Sequence, residues 1–191
     1  MKKTILFAVA IMLTHLLSAQ RNNVEWGIKG GVNAANFKID PSFNSDSRIS
    51  LHLGGLAHIH VSEHFAVQPE LMISGQGAEY GDDREDKFTY LNLPVLAQVM
   101  FGEGFRLQTG PQVGLLLNAK SENGNEESEI DNNFKRGDFA WSFGGGYIGR
   151  RGLGVDVRYN LGISNISENN NADVKNRVWQ FGLFYQFRNT K

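Results

Sequence analysis

The sequence predicts an all-β protein, an eight-stranded antiparallel up-and-down transmembrane β-barrel. Three observations carry this. An apolar leader with a basic start opens the chain, period-2 alternation runs through most of the remaining residues, and the connections between alternating segments are long and short by turns.

The leader comes first. Lys2 and Lys3 form the basic start. Ile5 to Leu17 is apolar except for Thr14 and His15, and Ser18 and Ala19 place small residues before Gln20. This is the pattern of a secretory signal peptide, with cleavage expected after Ala19. The run falls short of the roughly 20 residues a spanning helix needs. The expected division is therefore residues 1–19 as signal peptide and 20–191 as the barrel domain. No later segment is apolar enough for a spanning helix. A mature chain embedded in a membrane must then be a closed barrel, which satisfies every backbone group in lipid.

Composition agrees. The chain has 191 residues, enough for one domain with a real core. A net charge of −1 and no Lys/Arg stripe argue against nucleic acid. The absence of Cys excludes disulfides, thiolate metal sites and an acylated N-terminal Cys. Glycine is abundant at 22 residues and proline scarce at 4, which suits strands that pack closely and bend around a barrel.

Eight segments alternate. Val24 to Ala34 places Val24, Trp26, Ile28 and Val32 on one face and Glu25, Lys29 and Asn33 on the other. Ile49 to Val61 sets Ile49, Leu51 and Leu53 against Ser50, His52, His58 and His60. Phe65 to Ser74 sets Phe65, Val67, Leu71 and Ile73 against Gln68, Glu70 and Ser74. Leu91 to Phe101 opposes Leu93, Val95 and Val99 to Asn92 and Gln98. Phe105 to Asn118 opposes Leu107, Val113 and Leu115 to Arg106, Gln108 and Gln112. Asp138 to Tyr147, Leu153 to Ser164 and Trp179 to Phe187 repeat the pattern, with Ser142, Asp156, Arg158, Asn160, Gln180 and Gln186 on the polar side. Pro69, Pro94 and Pro111 fall inside strands, where each predicts a bulge or a missing ladder bond.

The connections set the orientation. Residues 38–48, 81–87, 121–137 and 167–173 are long and polar, whereas Ser62 to His64, Gly102 to Gly104 and Arg150 to Gly152 are tight turns. Outer-membrane barrels have long external loops and short periplasmic turns. Aromatics gather near strand ends. Trp26, Phe65, Phe101, Phe105, Tyr147, Tyr185 and Phe187 lie toward the turns; Phe37, Phe88, Phe139, Trp141 and Trp179 lie toward the loops. Two interfacial girdles are the expectation.

The polar face decides which way the barrel faces. A soluble barrel would carry many Lys and Glu on its exterior. Here that face is mostly Gly, Ser, Asn and Gln, which suits a narrow lumen filled by side chains. Its charges are few and balanced: Glu25, Lys29, Glu70, Arg106, Asp156 and Arg158. A charge withdrawn from water needs a partner, so these six are expected to form a structural ion-pair network plugging the turn-proximal half. The alternative is that lumen water hydrates each separately.

Two stretches of resemblance add to this. Gln180, Gly182, Tyr185 and Phe187 resemble the C-terminal signal read by the outer-membrane assembly machinery, although Arg188 to Lys191 continue past the last aromatic. More of the chain resembles the PorT-like outer-membrane β-barrel family. The segments that carry this are Trp26-Gly-Ile-Lys-Gly-Gly-Val-Asn33, Gln68-Pro-Glu70-Leu71, Tyr90-Leu-Asn-Leu-Pro94, Thr109-Gly-Pro-Gln-Val-Gly114 and Asp156-Val-Arg158-Tyr-Asn160-Leu-Gly-Ile-Ser-Asn165-Ile166. The resemblance implies a barrel in the outer membrane of a Gram-negative cell. It implies little chemistry. One namesake is linked to protein secretion and maturation, a role that fold analogy does not transfer.

Other constellations are weaker. His58 and His60, with His52 on the same face, could hold Zn or Cu, but a tetrahedral site needs more ligands and lumen-lining histidines are the favoured reading. His60 and Ser62 with Glu63 or Glu70 resemble the His-x-Ser plus acid arrangement of outer-membrane lipid A deacylases, yet Ser62 sits at a periplasmic turn, far from an outer-leaflet lipid. Gly110 and Gly144 to Gly146 precede no helix and cannot form a phosphate cradle. The acidic residues Glu122, Glu126, Glu127, Glu129, Asp131, Asp82, Asp83, Glu85 and Asp86 could bind Ca²⁺ weakly, but match no defined calcium loop.

The sequence thus points to a non-enzymatic outer-membrane protein with no cofactor and no metal. Its expected partners are outer-membrane lipid, the assembly machinery during insertion, and a protein met through the external loops. Its expected role is structural, surface-binding or accessory to secretion or assembly. A small-solute conduit and an outer-leaflet lipid hydrolase are the disfavoured alternatives.

Overall fold

In the computed structural model, which describes residues 24–40, 43–80, 84–123, 126–168 and 173–187, period-2 sequence becomes strand throughout. The strands are β1 (Val24–Asp40), β2 (Phe43–Asn44), β3 (Arg48–His60), β4 (Phe65–Tyr80), β5 (Arg84–Phe101), β6 (Phe105–Asn123), β7 (Glu126–Glu129), β8 (Gly137–Ile148), β9 (Leu153–Gly162) and β10 (Asp173–Phe187). β2 and β7 are short additions near the loops, pairing with β1 and β6 respectively. The other eight pair antiparallel with their chain neighbours, and β10 pairs with β1 from Trp26↔Phe187 to Asp40↔Asp173 to close the barrel. The leader expected at 1–19 and the tail at 188–191 lie outside the described residues.

Closure is staggered. From Val24 the paired residues run through Ile59, Val67, Ala97, Thr109, Phe143, Tyr159 and Trp179 and return to β1 at Ala34, a shear of ten residues. Eight tilted strands enclose a space that side chains fill.

The polarity is inside out. Leu51 is 70% exposed and Leu183 61%, while Arg158 and Lys29 are each 1% exposed. This inversion fits a lipid-facing exterior and a polar interior. The tight turns use backbone that only glycine adopts without strain: Gly102 has φ 60° and Gly104 φ 130°, and a Cβ on Gly104 would meet the Ile148 carbonyl oxygen at 2.1 Å.

Each proline faces a gap in a ladder. The β3–β4 register skips the pairs at Pro69, β4–β5 those at Pro94, and β5–β6 those at Pro111, with no change of register across any gap. Missing ladder bonds, not bulges, are the consequence of the absent N–H. The register between β5 and β6 shifts elsewhere, at a bulge on Leu117, where Thr89 pairs Asn118 and Tyr90 pairs Leu116. It turns Ala119 inward.

Two further sequence expectations are corrected. Residues 84–87, 121–123 and 126–129 belong to strands, not loops. Cross-strand ion pairs stabilise these polar extensions, and polar strands carry no hydrophobic alternation to reveal them. Phe37 and Phe88 are each 1% exposed and face the interior, so they do not belong to the outer girdle. They share the parity of Asn33 on β1 and Asn92 on β5, which fixes the side of the wall they face. The other named aromatics, including Trp26, Phe65, Phe105, Trp141 and Trp179, are exposed on the outside.

Candidate functional site

The interior is layered. Toward the loops, Phe37, Ala78, Phe88, Tyr90, Leu116 and Ile166 pack as an apolar layer, with Phe134 edge-on to Phe88 at 4.7 Å. Toward the turns, Leu56, Ile148 and Phe184 form a smaller cluster, and the Arg106 guanidinium lies 4.8 Å from the Phe184 ring centre. Polar side chains occupy the space between.

Four of the six lumen charges meet there. Arg158 of β9 donates through Nη1 to Glu70 Oε2 and through Nη2 to Glu70 Oε1, both at 2.8 Å. Its Nη2 also approaches Asp156 Oδ2 at 3.4 Å. Lys29 of β1 donates to the same Asp156 oxygen and lies 4.0 Å from Glu70 Oε1. Gln68 and Gln108 donate to Glu70 and Asp156 at 2.7 and 3.3 Å. Two cations and two anions, all buried, form a formally neutral cluster. Period 2 aims all four side chains inward, and closure of β10 on β1 brings Lys29 near β9.

The other two stand apart. Arg106 donates to Gln68, Gln98 and Gln186 at 3.4, 3.5 and 3.2 Å. Glu25 shares the inward parity of Lys29 but lies closer to the periplasmic end, half-buried and opposite His58. No ion pair among the described residues includes it.

Above the cluster is a layer whose members the sequence did not join: it named His52 and Gln180 for other roles. Asn33 Oδ1 meets His52 Nδ1 at 2.7 Å and accepts from Gln180 Nε2 at 3.0 Å; Asn33 Nδ2 donates to Ser74 Oγ at 3.0 Å. The signal was available in the shared parity of polar residues next along the strands above the charges.

The weaker constellations find structural roles. His58 Nδ1 is 3.3 Å from Gln68 Oε1, and the His58 and His60 rings meet edge to face at 4.5 Å. No group of three metal-ligating side chains gathers among the described residues. Ser62 Oγ accepts from the Phe65 N–H at 3.2 Å and serves the turn. Gly144 is close-packed strand, where a Cβ would meet the Val157 carbonyl oxygen at 2.5 Å. Of the C-terminal residues, Tyr185 and Phe187 are exposed on the outside with rings 5.3 Å apart, whereas Gln180 and Gly182 face the interior.

Three loop-end acids, Glu85, Glu122 and Glu127, are engaged in cross-strand pairs. Lys87 donates to Glu122 at 2.5 Å and lies 3.5 Å from Glu85; Lys120 pairs with Glu127 and Arg48 with Glu85. Asp86 is buried and accepts from Ser121 at 2.6 Å. The hydrogen bond to Glu122 holds the Lys87 ammonium above its ordinary range, and Glu127 does the same for Lys120. Reciprocally, the bond from Lys120 holds the Glu127 carboxyl below its usual value. Tyr80 is pushed up to about 12, chiefly by burial and further by Asp86. Asp82, Asp83 and the side chain of Glu126 lie outside the described part of the structure.

This geometry has relatives. The chain is similar in fold to Ail, the attachment invasion locus protein of Yersinia pestis, with 17% identity, TM-score 0.56, and 86% of this chain and 99% of that one covered. The same protein in complex with the heparin analogue sucrose octasulfate gives 18% identity and TM-score 0.54 over 86% and 99%. Neisserial surface protein A gives 11% identity and TM-score 0.56 over 85% and 97%. At these identities the likeness speaks for the fold. No curated protein sequence matches. The profile described as "Outer membrane protein beta-barrel domain" matches residues 18–168. Inverted polarity, closed eight-stranded topology and this match together place the protein in the outer membrane, as a member of the outer membrane protein beta-barrel domain family.

Proposed function

We propose that this is a non-enzymatic barrel whose lumen is plugged and whose activity is surface binding at its extracellular end. One observation carries the reading: the Lys29, Glu70, Asp156 and Arg158 cluster spans the interior beneath an apolar layer built on Phe88 and Tyr90. Side chains packed across the interior in this way obstruct a solute, which argues against the conduit. No Ser, His and acid side chains form a hydrogen-bonded chain at an outward position among the described residues, which argues against the lipid hydrolase. The strands β4, β5 and β6 continue past the lipid belt into a charged sheet, and this is the surface a protein partner would meet.

A role beside a secretion or assembly complex would use the same extension. For the chain's own insertion, we infer that the assembly machinery reads Tyr185 and Phe187 from the outside, while Gln180 and Gly182 serve the interior.

Bilayer recordings with the purified barrel test the plug. Absence of discrete conductance steps is expected, and reproducible steps abolished on removing the protein would overturn it. Cross-linking in intact cells, with mass spectrometry of the products, tests surface binding. One abundant partner joined through residues 84–87 or 120–129 is expected; recovery of lipid and unrelated porins alone would leave a purely structural role.

A further inference from the structure

The barrel wall has a notch. The β3–β4 ladder stops at His52↔Ser74, and backbone pairing along this edge resumes only at the Asp46↔Glu79 bridge. Between the two, side chains span the gap. Ser50 Oγ and Asn33 Nδ2 donate to the Gly75 carbonyl at 2.7 and 2.6 Å, and Arg48 Nη1 donates to the Gln76 carbonyl at 3.2 Å. A cavity of about 490 Å³ opens here, with Leu51 and Gly75 on its apolar side and Arg48, Lys87 and Lys120 on its polar side. Three cations line it and no carboxylate does.

Its level in the membrane is set by its neighbours. Ile49 and Leu51 on β3, Ile73 on β4 and Leu115 and Leu117 on β6 are exposed members of the lipid-facing belt. Arg48, Lys87 and Lys120 come next along their strands toward the loops. The long-loop end is the outer side, so the cations stand at the headgroup layer of the outer leaflet and Leu51 points into its acyl region. We propose that the notch docks a phosphorylated glycolipid of the outer leaflet, with phosphate on Lys87, Lys120 and Arg48 and an acyl chain along Leu51 and Gly75.

The chemistry fits on both sides. A soluble anion would gain nothing from the apolar floor, and an uncharged lipid nothing from the rim. The carboxylates now paired with the cations are Glu85, Glu122 and Glu127, all partly exposed, and exposed pairs are weak. An ammonium has three N–H donors. Lys87 pairs with two carboxylates and Lys120 with one, so both can accept a phosphate without losing their present partners. The proposal needs only outer-membrane residence and is independent of whether the lumen conducts.

Native mass spectrometry of the full-length barrel tests it, with bis-phosphorylated lipid A, the same lipid dephosphorylated, and phosphatidylglycerol as probes. Retention of one bis-phosphorylated lipid A is expected. Retention should fall about tenfold or more for the dephosphorylated lipid and for the Lys87→Gln/Lys120→Gln variant, as loss of charge-assisted bonds implies. Thr89→Trp fills the cavity and leaves every cation in place, and it should lower retention as well. Folding of each variant is checked by heat-modifiable electrophoretic mobility. Equal retention of all three lipids would overturn the proposal, as would binding unchanged in both variants. Phosphatidylglycerol matching lipid A would replace the glycolipid with anionic lipid in general and overturn it too.

Discussion

Arg158 donates both arms of its guanidinium to Glu70 at 2.8 Å, joining β9 to β4 across the full width of the barrel. The two residues are 88 apart in sequence and sit on opposite walls, four strands round in either direction. A bidentate buried pair of this kind fixes geometry as well as charge. With Lys29 and Asp156 it is formally neutral, so the cluster holds no uncompensated charge.

Breaking one partner should therefore be severe. Glu70→Ala or Arg158→Ala is expected to cost about 3–5 kcal/mol in urea unfolding of the lipid-embedded barrel, since each strands a buried charge. The double variant should lose clearly less than the sum. Strict additivity would mean the two side chains do not support each other.

Gly182 makes room for this cluster. A Cβ there would meet Asp156 Oδ1 at 2.4 Å and Lys29 Cε at 2.8 Å. Gly182→Ala should lower stability by about 1–3 kcal/mol through overpacking, even in refolding without any assembly machinery. Normal refolding in vitro with failed insertion in cells would assign Gly182 to the assembly machinery instead.

The inverted polarity makes the lipid face intolerant of charge. Val157 is exposed midway along β9, and Val157→Arg should cost about 2–4 kcal/mol, whereas Leu153→Arg, near the periplasmic interface, should cost about 0–1 kcal/mol. Folding free energies in vesicles check this. Equal penalties at the two positions would contradict the placement of the bilayer along the strand.

Acid should loosen the β6–β7 hairpin. Lys120 holds the Glu127 carboxyl below its ordinary value of 4.5. A depressed carboxyl contributes stability that is present above the ordinary value and is lost as pH falls through the folded value. Amide exchange at residues 126–129, corrected for intrinsic rates, should show protection from neutral pH down to that range and then a decline. Lys120→Gln should flatten the profile. The same decline in the variant would point to another group.

Much of this architecture is legible in the sequence, because each strand keeps its alternation for many residues and the connections alternate in length. Lys29, Glu70, Asp156 and Arg158 are visible as inward charges on the same criterion. Phe37 and Phe88 elude it, because an aromatic near a strand end looks alike whether it faces lipid or lumen; only counting parity from Asn33 and Asn92 separates the cases. The polar extensions at 84–87 and 120–129 elude it because charged strands show no hydrophobic period.

By itself the sequence determined the barrel, its inverted polarity and its orientation, since all three arise from local period and connection length. Only the tertiary structure decided which charges meet. Shear and closure set Arg158 opposite Glu70 and leave Glu25 to one side, and the end of the β3–β4 ladder at His52 opens a notch beneath Arg48, Lys87 and Lys120. These relations depend on stagger between strands distant in the chain, which no single strand's pattern records.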